Sequence, residues 1–116
     1  MKSDVIFFAW NRAIPAREHL SGKHFEEFNH YLTELQNAAK IESYEVVFLN
    51  HHGGDLNGFF LIKGDAAQLD EILASEQWRN HMIRASFHLE GAGEVRGVTG
   101  DLVLERMRIW ANNIPT

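Results

Sequence analysis

Two short stretches, "DVIFFAW" at 4–10 and "GFFLIKG" at 58–64, constrain this chain's fold more than any other feature. Both are apolar, rich in β-branched and aromatic residues, and too short for a helix, so each reads as a strand. Successive side chains of a strand point to opposite faces. In the first stretch Val5, Phe7 and Ala9 face one way, and Ile6, Phe8 and Trp10 the other. In the second, Phe59 and Leu61 oppose Phe60 and Ile62. A strand from an antiparallel sheet with one wet face alternates apolar with polar. These strands do not alternate, so both faces of their sheet need cover.

Between them the spacing changes. Phe25, Phe28, Leu32, Leu35 and Ala39 recur every three or four residues from about Ser21, one stripe of a helix ending near Lys40. "IESYEVVFLNHH" (41–52) reads as a long strand, with Tyr44, Val46 and Phe48 on one face and Val47 and Leu49 on the other. "GGDLN" makes the turn of a hairpin into 58–64. Asp65 caps a short helix carrying Leu69, Ile72 and Leu73; Ser75 caps a second with Trp78, Met82, Ala85 and Leu89 at helical spacing. "GAGEVRGV" (91–98) supplies a fourth strand. For the tail, a strand reading puts Arg106 with Leu102 and Leu104, a poor alternation. A helix capped by Thr99 aligns Val103, Met107, Trp110 and Ile114, and is the better fit.

Strand, helix, strand, strand, helix, strand, then a terminal helix is the split βαβ order of a single ferredoxin-like α+β domain, here spanning 1–116. Right-handed crossovers put both main helices on one sheet face. The terminal helix can cover part of the other face, and a second copy meeting it sheet to sheet can cover all of it. A two-fold homodimer is therefore expected.

This layout resembles the dimeric α+β-barrel superfamily, which includes antibiotic-biosynthesis-type monooxygenases and stress-responsive barrel proteins. "FFAWNR", "HGGDLNGFFLIKGD" and "GEVRGVTGD" look like an uncharacterised bacterial branch of those ferredoxin-like proteins. The resemblance implies a dimeric barrel and carries no activity with it.

Composition excludes several classes. With no cysteine there is no disulfide, thiolate metal site or thiol nucleophile, a usage compatible with a reducing cytoplasm. A net charge of −5 and scattered basic residues argue against nucleic acid as a partner. The apolar run Val5 to Trp10 is far short of a membrane span.

The candidate site residues are aromatic, amide and imidazole side chains. His51 and His52 adjoin on a strand, point apart and cannot readily chelate one ion, so no metal site is expected there. The glycines after them belong to a turn, yet His52 shares a face with Asn50, Phe48 and Phe60 and remains a ligand candidate. Glu26 and Glu27 with His30 read as a solvated helical pair. Trp78 and His81, three residues apart on a helix with Arg84 one step further, set an aromatic wall beside a proton donor or acceptor. Trp10 and Asn11 at the end of the first strand complete a set able to line a helix–sheet pocket. The alternative has Trp78 in the core, His81 at the boundary and Asn11 in a turn.

The resemblance also extends to heme-degrading monooxygenases, which use an asparagine on the first strand and a tryptophan and a histidine on the second helix. Asn11 matches the first. Aligning Ser75 with the family's helix serine puts Ile72 at the tryptophan and Met82 at the histidine. His81 then falls one residue away, a rotation of about 100°. The expectation is therefore a site without a cofactor, heme being the nearest alternative. The serines at 21 and 75 read as helix caps. Two functions fit: a homodimer binding a small, partly aromatic molecule, as a cofactor-free oxygenase or isomerase would, or a noncatalytic accessory dimer with a filled interior.

Overall fold

The computed structural model describes residues 3–116. Its strands are β1 (Val5–Trp10), β2 (Arg12–Ala13), β3 (Ser43–Phe48), β4 (Gly58–Lys63), β5 (Leu89–Glu90) and β6 (Gly93–Gly97). The helices are α1 (Glu18–Asn37), α2 (Ala66–Ala74), α3 (Glu76–Ser86) and α4 (Asp101–Asn112). An antiparallel sheet in the order β3-β4-β1-β6 forms the frame, which is the ferredoxin-like arrangement expected from the sequence. β3 and β6 are open edges, so one chain closes no barrel.

Register assigns the two faces. Phe8 lies opposite Phe60, and Ile6 opposite Ile62, on the side where the helices pack. There they bury Phe28 and Leu32 of α1, Leu69 and Ile72 of α2, and Trp78 and Ala85 of α3. Each fully buried large side chain contributes about 1.5–3 kcal/mol, and this single cluster holds the layers together. The other face carries Phe7, Phe59, Leu61, Val47 and Val95, and no layer of the described residues covers it; Val95 is 59% exposed.

The helix boundaries follow local chemistry. Asp65 caps α2 by accepting from the backbone N–H of Ala67 and Gln68, and Ser75 caps α3 through Trp78 N–H, as the sequence indicates. Other expectations are corrected. Ser21 lies inside α1, which begins at Glu18, and caps nothing. Gly100 occupies the N-cap of α4, while Thr99 binds Asp4 through its backbone N–H and hydroxyl. Of the 41–52 stretch only Ser43–Phe48 forms a strand: the ladder with β4 ends where Phe48 meets Gly58, followed by one backbone bond from Leu49 N–H to the carbonyl of Asn57 at 2.9 Å. Leu89 leaves the helix for β5, since α3 stops at Ser86.

A two-stranded ribbon of β2 and β5, which the sequence did not announce, ties the start of α1 to the end of α3. Arg12 Nε donates to Glu90 at 2.8 Å, Ile14 N–H to the carbonyl of His88 at 2.8 Å, and Arg17 to the carbonyl of Phe87 at 2.6 Å. The ribbon fixes His88 against the first turns of α1.

Candidate functional site

The first half of α1 presents Ser21, His24, Phe25 and Phe28 to the sheet, a set spaced for one helical face. Opposite them stand Phe8 and Trp10 of β1, Phe60 of β4 and Phe48 of β3. These walls line a half-open pocket of about 390 Å³, within the size range of small-molecule sites. Phe25 and Phe48 meet at 5.5 Å between ring centroids, and Trp10 and Phe48 at 6.1 Å. Gly22 also lines the pocket, and a Cβ built there meets nothing within 4 Å. Gly58 serves differently. Any side chain there would strike the Trp10 indole, at 2.5 Å from a Cβ, so glycine lets that ring lie flat along the wall.

Polar groups reach the pocket at few points. Asn57 donates through Nδ2 to Oδ1 of Asn11 at 2.9 Å and to the carbonyl of Gly54 at 3.1 Å. At the other end Ser21 Oγ lies 2.7 Å from Nδ1 of His88. Nε2 of His88 is 2.8 Å from Nδ1 of His24, and Nε2 of His24 is 3.0 Å from Nδ1 of His81. Four side chains from α1, α3 and the turn after α3 thus form one continuous row of hydrogen bonds. His24 and His81 stack nearly parallel with ring centroids 5.2 Å apart, and Tyr31 lies on His81 at 4.7 Å.

His24 and His88 are 5% and 4% exposed, which sets their electrostatics. Burial disfavours the imidazolium and pushes His24 down to about 4, helped by the Arg84 cation and the neighbouring imidazoles. Burial and then Arg84 also lower His81 and His88. All three rings are therefore neutral at neutral pH, each with one N–H and one lone pair. The row ends at His81, which lines a polar groove between α1 and α3 with Glu27, Arg84, Asn80 and Gln77. Arg84 and Glu27 form a 2.5 Å ion pair there. Each ring lone pair along the row faces an N–H of its neighbour, so the lone pairs do not converge on a point where an ion would sit.

The structure separates the residues singled out from the sequence. Trp10 lines the pocket, and Asn11 holds Asn57 at its rim. Trp78 is a core residue, packed on Phe28 and donating its indole N–H to the carboxylate of Glu94, whose pKa burial raises. His81 lies on the far side of the row from the pocket. His52 stands in the exposed loop, where Nδ1 accepts from Gly54 N–H at 3.2 Å and Nε2 donates to the carbonyl of Leu56 at 2.7 Å. Its ring organises the turn that follows the two histidines. His30 pairs with Glu34 at 3.0 Å, on the surface.

Ser21, His24 and His88 were not among the sequence candidates. His24 precedes Phe28 by four residues on the buried stripe, a detectable signal. His88 sits in a turn, and only tertiary structure brings it to His24.

No family model and no curated protein matches the sequence. Among solved structures, a dimeric protein of unknown function and ferredoxin-like fold from Bacteroides fragilis superposes with a TM-score of 0.56. The two are 13% identical over 82% of this chain and 95% of that one. A structure of PA3566 from Pseudomonas aeruginosa aligns more loosely, with a TM-score of 0.47 and 15% identity over 86% of this chain and 97% of the other. The first likeness establishes the class, a ferredoxin-like α+β protein, and no more than the class.

Proposed function

We propose that the protein is a homodimer that binds a small, mostly aromatic molecule with one hydrogen-bonding group in the pocket between α1 and the sheet. The observation that carries this reading is the division of the pocket: aromatic walls around about 390 Å³, and Ser21 with its histidines at one end. Apolar walls with a few convergent polar groups are what such ligands select. Gly22 adds support, since an interior helical glycine costs stability of about 0.5–1 kcal/mol and here leaves pocket space open.

The site is read as working without heme. Both ring nitrogens of His24 and of His88 already take part in hydrogen bonds, so neither ring offers iron a free axial nitrogen. The dimer reading rests on the uncovered apolar sheet face and on α4, which buries no residue and exposes Leu104, Met107 and Trp110. The Bacteroides fragilis protein, described as dimeric, supports it.

Calorimetric titration with β-naphthol, a flat aromatic with one hydroxyl, tests the pocket. Saturable binding by the wild type that Gly22→Phe weakens at least tenfold is the expected result. Equal affinity in both proteins would place any binding elsewhere.

A further inference from the structure

The row from Ser21 to His81 joins two different environments. Ser21, His88 and His24 line the aromatic pocket, and His81 lines the polar groove between α1 and α3. Its two middle members, His88 and His24, are buried, and among the described residues their rings hydrogen-bond to no side chain outside the row. A single buried histidine would be satisfied by one backbone group on each nitrogen. Three in series, ending in a hydroxyl, form a path.

We propose that Ser21, His88, His24 and His81 conduct protons between a molecule bound in the pocket and the solvent of the groove, so that the site exchanges protons with an aromatic carbon acid such as a ketone that enolises. This rests on the pocket being a binding site. Neutral imidazoles allow two arrangements that satisfy every bond. In one, Ser21 donates to Nδ1 of His88, and each ring carries its proton on Nε2 and passes a hydrogen bond on towards the groove. In the other, each ring carries it on Nδ1 and the hydrogen bonds run back, leaving the Ser21 hydroxyl free to donate into the pocket; its other acceptor, the His88 carbonyl, is 3.5 Å away.

Conversion between the two moves one proton across the molecule. A C–H bond next to a carbonyl breaks, and its electron pair becomes the enolate double bond. The proton passes to Ser21 Oγ as the serine proton moves to His88 Nδ1. His88 Nε2–H moves to His24 Nδ1, His24 Nε2–H moves to His81 Nδ1, and His81 Nε2–H leaves to water. Run backwards, the same steps return a solvent proton to carbon. No electron is gained or lost, and no further reactant is needed.

Several groups set the rings' balance. Arg84 faces His81 from α3 and disfavours a second proton on any ring, while Glu27 of α1 opposes it; Tyr31 covers His81. Burial acts in the same sense as Arg84, so a transferred proton is driven onward instead of resting on one imidazole.

The test uses β-tetralone, a neutral bicyclic ketone whose benzylic methylene exchanges slowly with deuterium oxide. Proton NMR follows loss of that signal with wild type, His81→Phe and His81→Gln, and titration gives each protein's affinity. His81 lines the groove and not the pocket, so both variants should bind β-tetralone within about twofold of wild type. The phenyl ring preserves the stacking and the amide preserves a hydrogen bond to His24, but neither can relay a proton. Acceleration of exchange by the wild type, with at least tenfold of it lost in both variants, is expected on the scale of general acid–base contributions, ~10²–10⁴. Bound ketone exchanging equally fast in all three proteins would overturn the relay and leave the pocket standing. Absence of saturable β-tetralone binding by the wild type would count against the pocket and take the relay with it.

Discussion

Both ring nitrogens of His24 meet the nitrogen of another imidazole, and this governs its chemistry. Because a lone pair must face an N–H at each junction, the three neutral rings must be protonated on the same nitrogen type. Nitrogen-15 NMR of the ring nitrogens at neutral pH should therefore find His24, His81 and His88 all Nδ1–H, all Nε2–H, or exchanging between those two patterns. A fixed mixture of tautomers would contradict the row. The lowered pKa values also make folding acid-sensitive. An unfolded histidine takes up a proton near 6.5, whereas folded His24 resists until about 4. In that window the unfolded state binds more protons, so stability is fully present above about 6.5 and falls as the pH drops towards 4. His24 alone should cost on the order of 2 kcal/mol at pH 5. Urea unfolding across pH checks this, and His24→Phe should flatten the slope. The sequence placed His81 on a helix beside Trp78, but it gave no sign that His81 would point away from the pocket into a row reaching Ser21. That row joins residues 57–67 positions apart, and spacing rules act only within one element.

At the scale of elements, the pattern of hydrophobic residues specified most of what formed. The stripe through Phe25, Phe28, Leu32 and Leu35 became α1, and the caps at Asp65 and Ser75 divided α2 from α3. What failed to show was short or non-local. The β2–β5 ribbon has two residues per strand, too few for any periodicity, and β3 stops early because its partner begins at Gly58. Gly22 is the informative exception within α1, a poor helix former where an alanine would fit, since its Cβ would meet nothing. Gly22→Ala should stabilise the fold by about 0.5–1 kcal/mol in chemical denaturation. A loss of stability would mean that the glycine answers a backbone demand and not an open pocket.

For the whole molecule, the two-faced apolar strands read from the sequence remain half explained by one chain. The helices cover Ile6, Phe8, Phe60 and Ile62, while Phe7, Phe59, Leu61 and Val95 stay uncovered alongside the apolar stripe of α4. Val95 lies on an edge strand and is exposed, so Val95→Asp leaves the core intact. Burying an unpaired charge costs roughly 3 kcal/mol, which should weaken a dimer at least 100-fold in sedimentation equilibrium. A variant as dimeric as wild type would show that another surface pairs. The pocket is the central claim, and native mass spectrometry with β-naphthol examines it in the intact assembly. The account predicts a dimer carrying one β-naphthol per chain, and a Gly22→Phe dimer carrying none. Equal occupancy in the two proteins, or a wild-type dimer that stays bare at saturating β-naphthol, would contradict it.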